Sequence, residues 1–257
     1  MTQVINIEGL HKRYGRLQVL NNISLSVQAG ELIGYIGPNG AGKSTTIKIL
    51  CGLIPDFEGK VAVLGMDVSK NALEVKRRIG YIPENAALFE TLTPMEYLNF
   101  VGQLYQLPTQ SIQKKCKELL ALFGLDHARD ARMTTFSKGM RQKVLLISGV
   151  LHNPDIIFLD EPLSGLDANA VILVKEILQQ LKQSGKTIFY SSHIMEVVEK
   201  LSDRIIIIHQ GSLIANGNFQ QLSQQAQGSS LEQIFTQLTG QDEQVSVANS
   251  FIDILKS

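Results

Sequence analysis

The stretch Glu31-Leu-Ile-Gly-Tyr-Ile36 runs straight into Gly37-Pro38-Asn39-Gly40-Ala41-Gly42-Lys43-Ser44-Thr45, and Thr45-Thr-Ile-Lys-Ile-Leu50 follows. The apolar run reads as a strand and the last segment as the start of a helix. The loop between them fits the spacing GxxxxGK[ST], which wraps the phosphates of ATP or GTP. Glycines let successive backbone N–H groups turn inward around an anion, where a side chain would block the geometry. Lys43 supplies a point charge within reach of the β- and γ-phosphates, and Ser44 a hydroxyl for Mg²⁺. The positive end of the helix then faces the phosphates.

The 257 residues suffice for one large domain or a domain with subdomains. Lys and Arg number 24, as do Asp and Glu, so the formal net charge is zero. A balanced charge gives no support for a broad nucleic-acid-binding surface. It also leaves little repulsion between copies, which suits association with a partner. The two cysteines, Cys51 and Cys116, have no metal-ligand spacing, and a reducing compartment is the simpler reading. No apolar run reaches the ~18 residues needed to span a bilayer, and the N-terminus lacks the apolar core of a secretion signal. A membrane role is therefore expected to come through another chain.

Val4 to Leu10, Val19 to Val27 and Gly59 to Gly65 read as strands around the phosphate loop. They predict an antiparallel layer attached to the nucleotide-binding core. Met95 to Leu107 and Ile112 to Leu125 have helical periodicity, punctuated by Pro94 and Pro108, so a mostly helical subdomain is expected over roughly 85–150. Ile156 to Leu159, Thr187 to Tyr190 and Arg204 to Ile208 are near-continuous apolar runs, the pattern of a parallel sheet covered on both faces. Val171 to Leu181 supplies the helix between the first two. Residues 220–230, rich in Gln, Ser and Gly, read as a linker, Leu231 to Leu238 as a short helix, and Val245 to Leu255 has no clear pattern.

Ile156-Ile-Phe-Leu-Asp160-Glu161-Pro162 is an apolar strand that ends in two acids. Asp160 at the strand tip is placed to hold Mg²⁺, and Glu161 to orient the attacking water and accept its proton. Adjacent carboxylates in an apolar setting are costly unless a cation or polar network accompanies them.

With these motifs in order, the chain resembles the ATP-binding subunit of an ABC transporter over nearly all of residues 4–220. The resemblance implies an α/β fold: a P-loop NTPase core with a mostly parallel sheet, an antiparallel β subdomain and a helical subdomain. It places the ATP-binding domain at 1–225 and a C-terminal extension at 226–257. Tyr14 resembles the aromatic that stacks on adenine. Phe136-Ser137-Lys138-Gly139-Met140 resembles the family signature usually written LSGGQ, Ser164-Gly165-Leu166-Asp167 the D-loop, and His193 the switch histidine. Read alone, Ser137 and Asp167 are also ordinary helix caps. By resemblance, Ser137 and Gly139 contact the γ-phosphate of a nucleotide held by a facing copy, so that ATP joins two chains as a homodimer or heterodimer.

The resemblance further implies ATP and Mg²⁺ as ligands, with Ser44, Glu84 and Asp160 at the metal and Glu161, His193 and Lys43 in catalysis. It implies a multispanning membrane permease as partner and a peripheral position on the cytoplasmic face of the membrane. Two departures stand out. Glu84 occupies a position where the family usually has glutamine; it accepts a cation but cannot donate as an amide does, and Asn85 offers an alternative donor. In the signature, Phe136, Lys138 and Met140 differ from the usual pattern, as in branches that resemble bacterial exporters tied to antibiotic resistance. Leu88, Phe89, Leu92 and Met95 are candidates for contact with the partner or for internal packing. The rival reading is a soluble ATPase of the same type acting on ribosomes or DNA. Such proteins usually join two nucleotide domains or insert a long coiled coil, and this chain has one set of motifs and no long heptad run.

Overall fold

The computed structural model describes residues 2–84, 88–226, 228–240 and 254–255. Its framework is a six-stranded sheet built from β3 (Leu32–Ile36), β6 (Ile79–Ile82), β7 (Ile156–Asp160), β8 (Thr187–Ser191), β9 (Arg204–His209) and β10 (Ser212–Gly217). The strand order is β10-β9-β3-β8-β7-β6. All neighbours are parallel except the edge strand β10, which turns back antiparallel onto β9.

The apolar runs behave as their lack of polar alternation predicts. Successive side chains of a strand point to opposite faces, so a strand buried on both faces needs apolar residues throughout. Ile157 and Leu159 of β7 enter one core cluster with Leu32 and Ile36 of β3 and Ile205 and Ile207 of β9. Their neighbours Ile156, Phe158, Ile33, Tyr35, Ile206 and Ile208 enter the other. Each fully buried side chain of this size contributes about 1.5–3 kcal/mol.

The second cluster is closed by a four-stranded sheet of order β2-β1-β4-β5, with β1 at Gln3–Tyr14, β2 at Leu17–Gln28, β4 at Glu58–Val63 and β5 at Met66–Asp67. All its pairings are antiparallel. The helix after the glycine loop, α1 (Lys43–Leu50), packs its Ile47, Ile49 and Leu50 into the same cluster, and α2 (Ala72–Arg78) leads into β6.

The helical subdomain comprises α3 (Pro94–Leu104), α4 (Thr109–Leu122) and α5 (Lys138–Val150). Thr93 and Glu96 form a reciprocal cap at the start of α3, with Pro94 in the first turn, which explains why the helix begins there. Glycines allow α5 to lie close against the sheet: a Cβ on Gly80 of β6 would sit 2.1 Å from the Gly149 carbonyl oxygen. Gly80→Ala therefore forces backbone apart, and we expect it to lower unfolding free energy by about 1–3 kcal/mol in chemical denaturation. An unchanged midpoint would contradict that contact.

Beyond β7 lie α6 (Ala168–Gln183) and α7 (Met195–Leu201), and α8 (Phe219–Ala226) and α9 (Leu231–Thr239) follow β10. The linker expected over 220–230 is thus mostly helix. Glutamine is a good helix former, and Leu222 of α8 is buried in the same cluster as Leu231, Ile234 and Phe235 of α9. Leu88 is buried, and Leu92 and Met95 pack against the core, whereas Phe89 is exposed. Of the four residues considered for partner contact, only Phe89 presents most of its surface. Asn85 and most of Val245 to Leu255 lie outside the described residues.

Candidate active site

Ligands of open α/β sheets bind beyond the carboxyl ends of the parallel strands, and here four adjacent strands, β3, β8, β7 and β6, each deliver a polar group at that end. The glycine loop leaves β3, Asp160 and Glu161 end β7, His193 follows β8 and Glu84 follows β6. They line a cleft of about 680 Å³ together with Tyr14, Leu17, Val19, Asn39, Gly40, Gly42, Lys43, Ser44 and Thr45.

Two loop glycines are required by geometry. Gly42 has φ 107°, where other residues are strained, and a Cβ on Gly37 would lie 2.3 Å from the Ile208 carbonyl oxygen. Lys43 folds back across the loop, its ammonium donating to the carbonyls of Gly37 at 2.7 Å and Pro38 at 3.1 Å. Burial holds its pKa below the usual lysine value, opposed by the charges of Glu161, Asp160 and Glu84. Under the loop, Thr46 donates to the Gly42 carbonyl at 3.0 Å and meets the buried Tyr35 hydroxyl at 3.2 Å.

Asp160 and Glu161 are both buried, and a serine that sequence reasoning passed over connects them. The Ser191 hydroxyl donates to Asp160 Oδ1 at 2.7 Å and accepts the Glu161 N–H at 3.1 Å. Ser191 is fully buried at the end of β8 and gave no signal beyond its place after an apolar run. Glu161 holds φ 50°, the left-handed region, at a cost on the order of 1–3 kcal/mol. Its Oε2 accepts the His193 backbone N–H at 3.2 Å and lies 2.7 Å from His193 Nδ1.

Not every predicted residue reaches this cleft. Gly37, Pro38 and Ala41 shape the loop without lining the cavity. Ser137 and Gly139 are not among the lining residues. Ser137 caps α5, accepting the Met140 N–H at 3.2 Å, and Asp167 caps α6 through the Ala170 N–H at 2.9 Å. Lys138 is exposed, and its ammonium donates to Ser164 Oγ at 3.0 Å while its stem lies over Gly165. Leu17 and Val19 add an apolar wall beside Tyr14 that strand alternation alone could not distinguish from ordinary packing.

The oxygen donors of Ser44, Asp160 and Glu84 suit a hard divalent cation. Among the described residues no group of three His, Cys, Asp or Glu side chains is arranged to hold a metal by itself. That fits Mg²⁺, which binds through one or two carboxylates plus substrate phosphates rather than in an all-protein cage. Among the described residues no helix is long and apolar enough to cross a membrane.

A glycine loop at a strand end, a lysine across it and paired carboxylates at the end of a parallel strand two places along the sheet define a P-loop nucleoside triphosphatase. The ABC transporter family model matches residues 20–164, more than half of the chain. The linearmycin resistance ATP-binding protein LnrL of Bacillus subtilis is 37% identical over 231 residues, spanning 90% of this chain and 74% of that protein. The Nod factor export ATP-binding protein I of Ralstonia nicotianae is 36% identical over 216 residues, 84% of this chain and 67% of its own. A solved ATP-binding subunit of an ABC transporter is 32% identical with a TM-score of 0.86, covering 91% of this chain and 99% of that one. The chain belongs to the ABC transporter family, as an ATP-hydrolysing subunit.

Proposed function

We propose that this subunit powers export of a substrate through a separate membrane permease, and that each of its hydrolytic sites is completed by a second ATP-binding chain. The observation that carries the hydrolytic reading is the Glu161–His193 contact at the mouth of the lysine-bearing loop. ATP lies with its phosphates on residues 37–45 and its base against Tyr14. Ser44, Asp160 and Glu84 hold Mg²⁺, which supplies neutralisation of phosphate charge when bound. His193 occupies Glu161 Oε2, which leaves Oε1 to take the proton of the attacking water. Lys43 stabilises charge that builds on the phosphates.

The second chain enters through Ser137 and Gly139. Both lie outside the cleft of their own chain, at the exposed start of α5, which supports a contact with nucleotide held by a facing copy. Closure driven this way follows from linkage, since ATP favours the closed pair only as far as it binds that state better. Ser137→Arg places bulk and charge at this contact. In sedimentation velocity with ATP the variant is expected to remain monomeric under conditions where the parent chain pairs. An intact ATP-dependent dimer of the variant would reject the shared site.

Export is supported by the names of two relatives, one a resistance protein and one an export protein. For the permease, a groove of about 310 Å³ lies between the parallel-sheet core and the helical subdomain, lined by Tyr81, Tyr97, Val101, Leu104 and Tyr105 among others. The exposed rings of Phe89 and Phe100 meet edge to face at 5.9 Å nearby in the subdomain. This surface is the proposed seat of a permease segment, with the subunit peripheral on the cytoplasmic face of the membrane.

A further inference from the structure

Lys12 is a buried cation that none of the motifs above uses. Its side chain is 4% exposed, yet its ion-pair partner Asp56 is 94% exposed. An ammonium withdrawn from water needs each of its three N–H donors answered. Two go to Asp56, one to the main-chain carbonyl and one to Oδ2 at 3.0 Å. The third side is taken by an aromatic face: Nζ lies over the Tyr14 ring, 4.9 Å from its centroid. This distance is within the range of cation–π attraction.

The placement is asymmetric. Tyr14 stands at the tip of the β1–β2 hairpin, where it pairs with Leu17 across a two-residue turn with Gly15 at φ 58°. It is 49% exposed and lines the nucleotide cleft beside Leu17 and Val19. Lys12 lines a different, small polar cavity with His11, Arg13, Asp56 and Glu58. A half-exposed ring at a hairpin tip has little packing to fix it. One tethered cation against the ring supplies that restraint, and it draws π-electron density toward itself.

We propose that Lys12 is a positioning residue for nucleotide binding: anchored by Asp56, it holds the Tyr14 ring in the orientation that receives the nucleobase. This rests on the reading that Tyr14 stacks on the base. The restraint is built into the fold, because Asp56 lies in the segment that joins α1 to β4. The helix that carries the phosphate loop and the ring that meets the base are thereby linked through a single side chain. Ordering the ring in advance reduces the entropy lost when the base arrives.

The test uses the full chain and two probes, Mg-ATP and Mg-tripolyphosphate, which has no base. Lys12→Met and Tyr14→Ala are compared singly and together by equilibrium binding. Lys12→Met is expected to weaken ATP about 2- to 5-fold, the lower end of the cation–π range because the Tyr14 ring is half exposed, and to leave tripolyphosphate binding unchanged. Added to Tyr14→Ala it should cost nothing further. Equal losses for both probes, or the same loss with and without the tyrosine ring, would overturn the proposal and leave Lys12 a structural residue only. If Lys12→Met does not fold, Lys12→Gln keeps a donor for the Asp56 carbonyl without the charge and is judged by the same criteria. Should Tyr14→Ala bind ATP as tightly as the parent, the stacking reading itself falls; a loss with Tyr14→Ala but none with Lys12→Met defeats only the role of Lys12.

Discussion

Glu161→Gln is expected to lower ATP turnover by roughly 10²- to 10⁴-fold, the usual worth of a positioned general base, while ATP affinity stays within about threefold. Glutamine keeps the shape of the side chain, and its carbonyl can still accept from the His193 N–H, which now holds Oε2 at 3.2 Å. What disappears is the carboxylate proposed to take the proton from water. One electrostatic effect runs alongside: Glu161 is the foremost of the charges that favour the Lys43 ammonium. Its removal lowers the lysine pKa further in the empty site, and the triphosphate supplies replacement negative charge when it binds. Phosphate release by the purified complex and equilibrium nucleotide binding measure the two effects separately. Turnover equal to that of the parent would remove Glu161 from the mechanism.

Lys43→Ala acts on the other side of the reaction. The ammonium is tied to the Gly37 and Pro38 carbonyls, so it props the loop across its own opening before it meets a phosphate. Alanine removes both bonds and the positive charge, and leaves Asp160 and Glu161 buried with less compensation. A hydrogen bond to a charged group contributes about 1.5–3 kcal/mol, so ATP affinity should fall roughly 10- to 100-fold. Calorimetric titration with Mg-ATP reads the change directly. Equal affinity in both proteins would contradict the contact between Lys43 and the phosphates.

The central sheet and the nucleotide cleft were legible in the sequence because both depend on local pattern. Ile156 to Leu159 and Ile205 to Ile208 are apolar at every step, the pattern of a strand buried on both faces. The loop from Gly37 to Thr45 carries its geometry in its glycines. Long-range pairings were not legible. The edge strand β10 has a mixed pattern, Ser-Leu-Ile-Ala-Asn-Gly, and exists through its pairing with β9. Ser191 looks like the end of a strand until Asp160 and Glu161 arrive from its neighbour. The helix α8 was hidden by Gln and Ser residues whose polarity suggested a linker, although one buried leucine and helix propensity suffice to dock it. Lys138 is a similar case: its partner Ser164 is 26 residues away in the chain. Such contacts depend on how elements are brought together, which periodicity does not encode.

Capture of ATP between two facing ATP-binding chains would be visible in a structure of Glu161→Gln with ATP and magnesium. The γ-phosphate is expected within hydrogen-bond reach of Lys43 of one chain and of Ser137 and Gly139, or their counterparts, of the other. A nucleotide seated away from Lys43 and Asp160, or enclosed entirely within a single polypeptide, would contradict it.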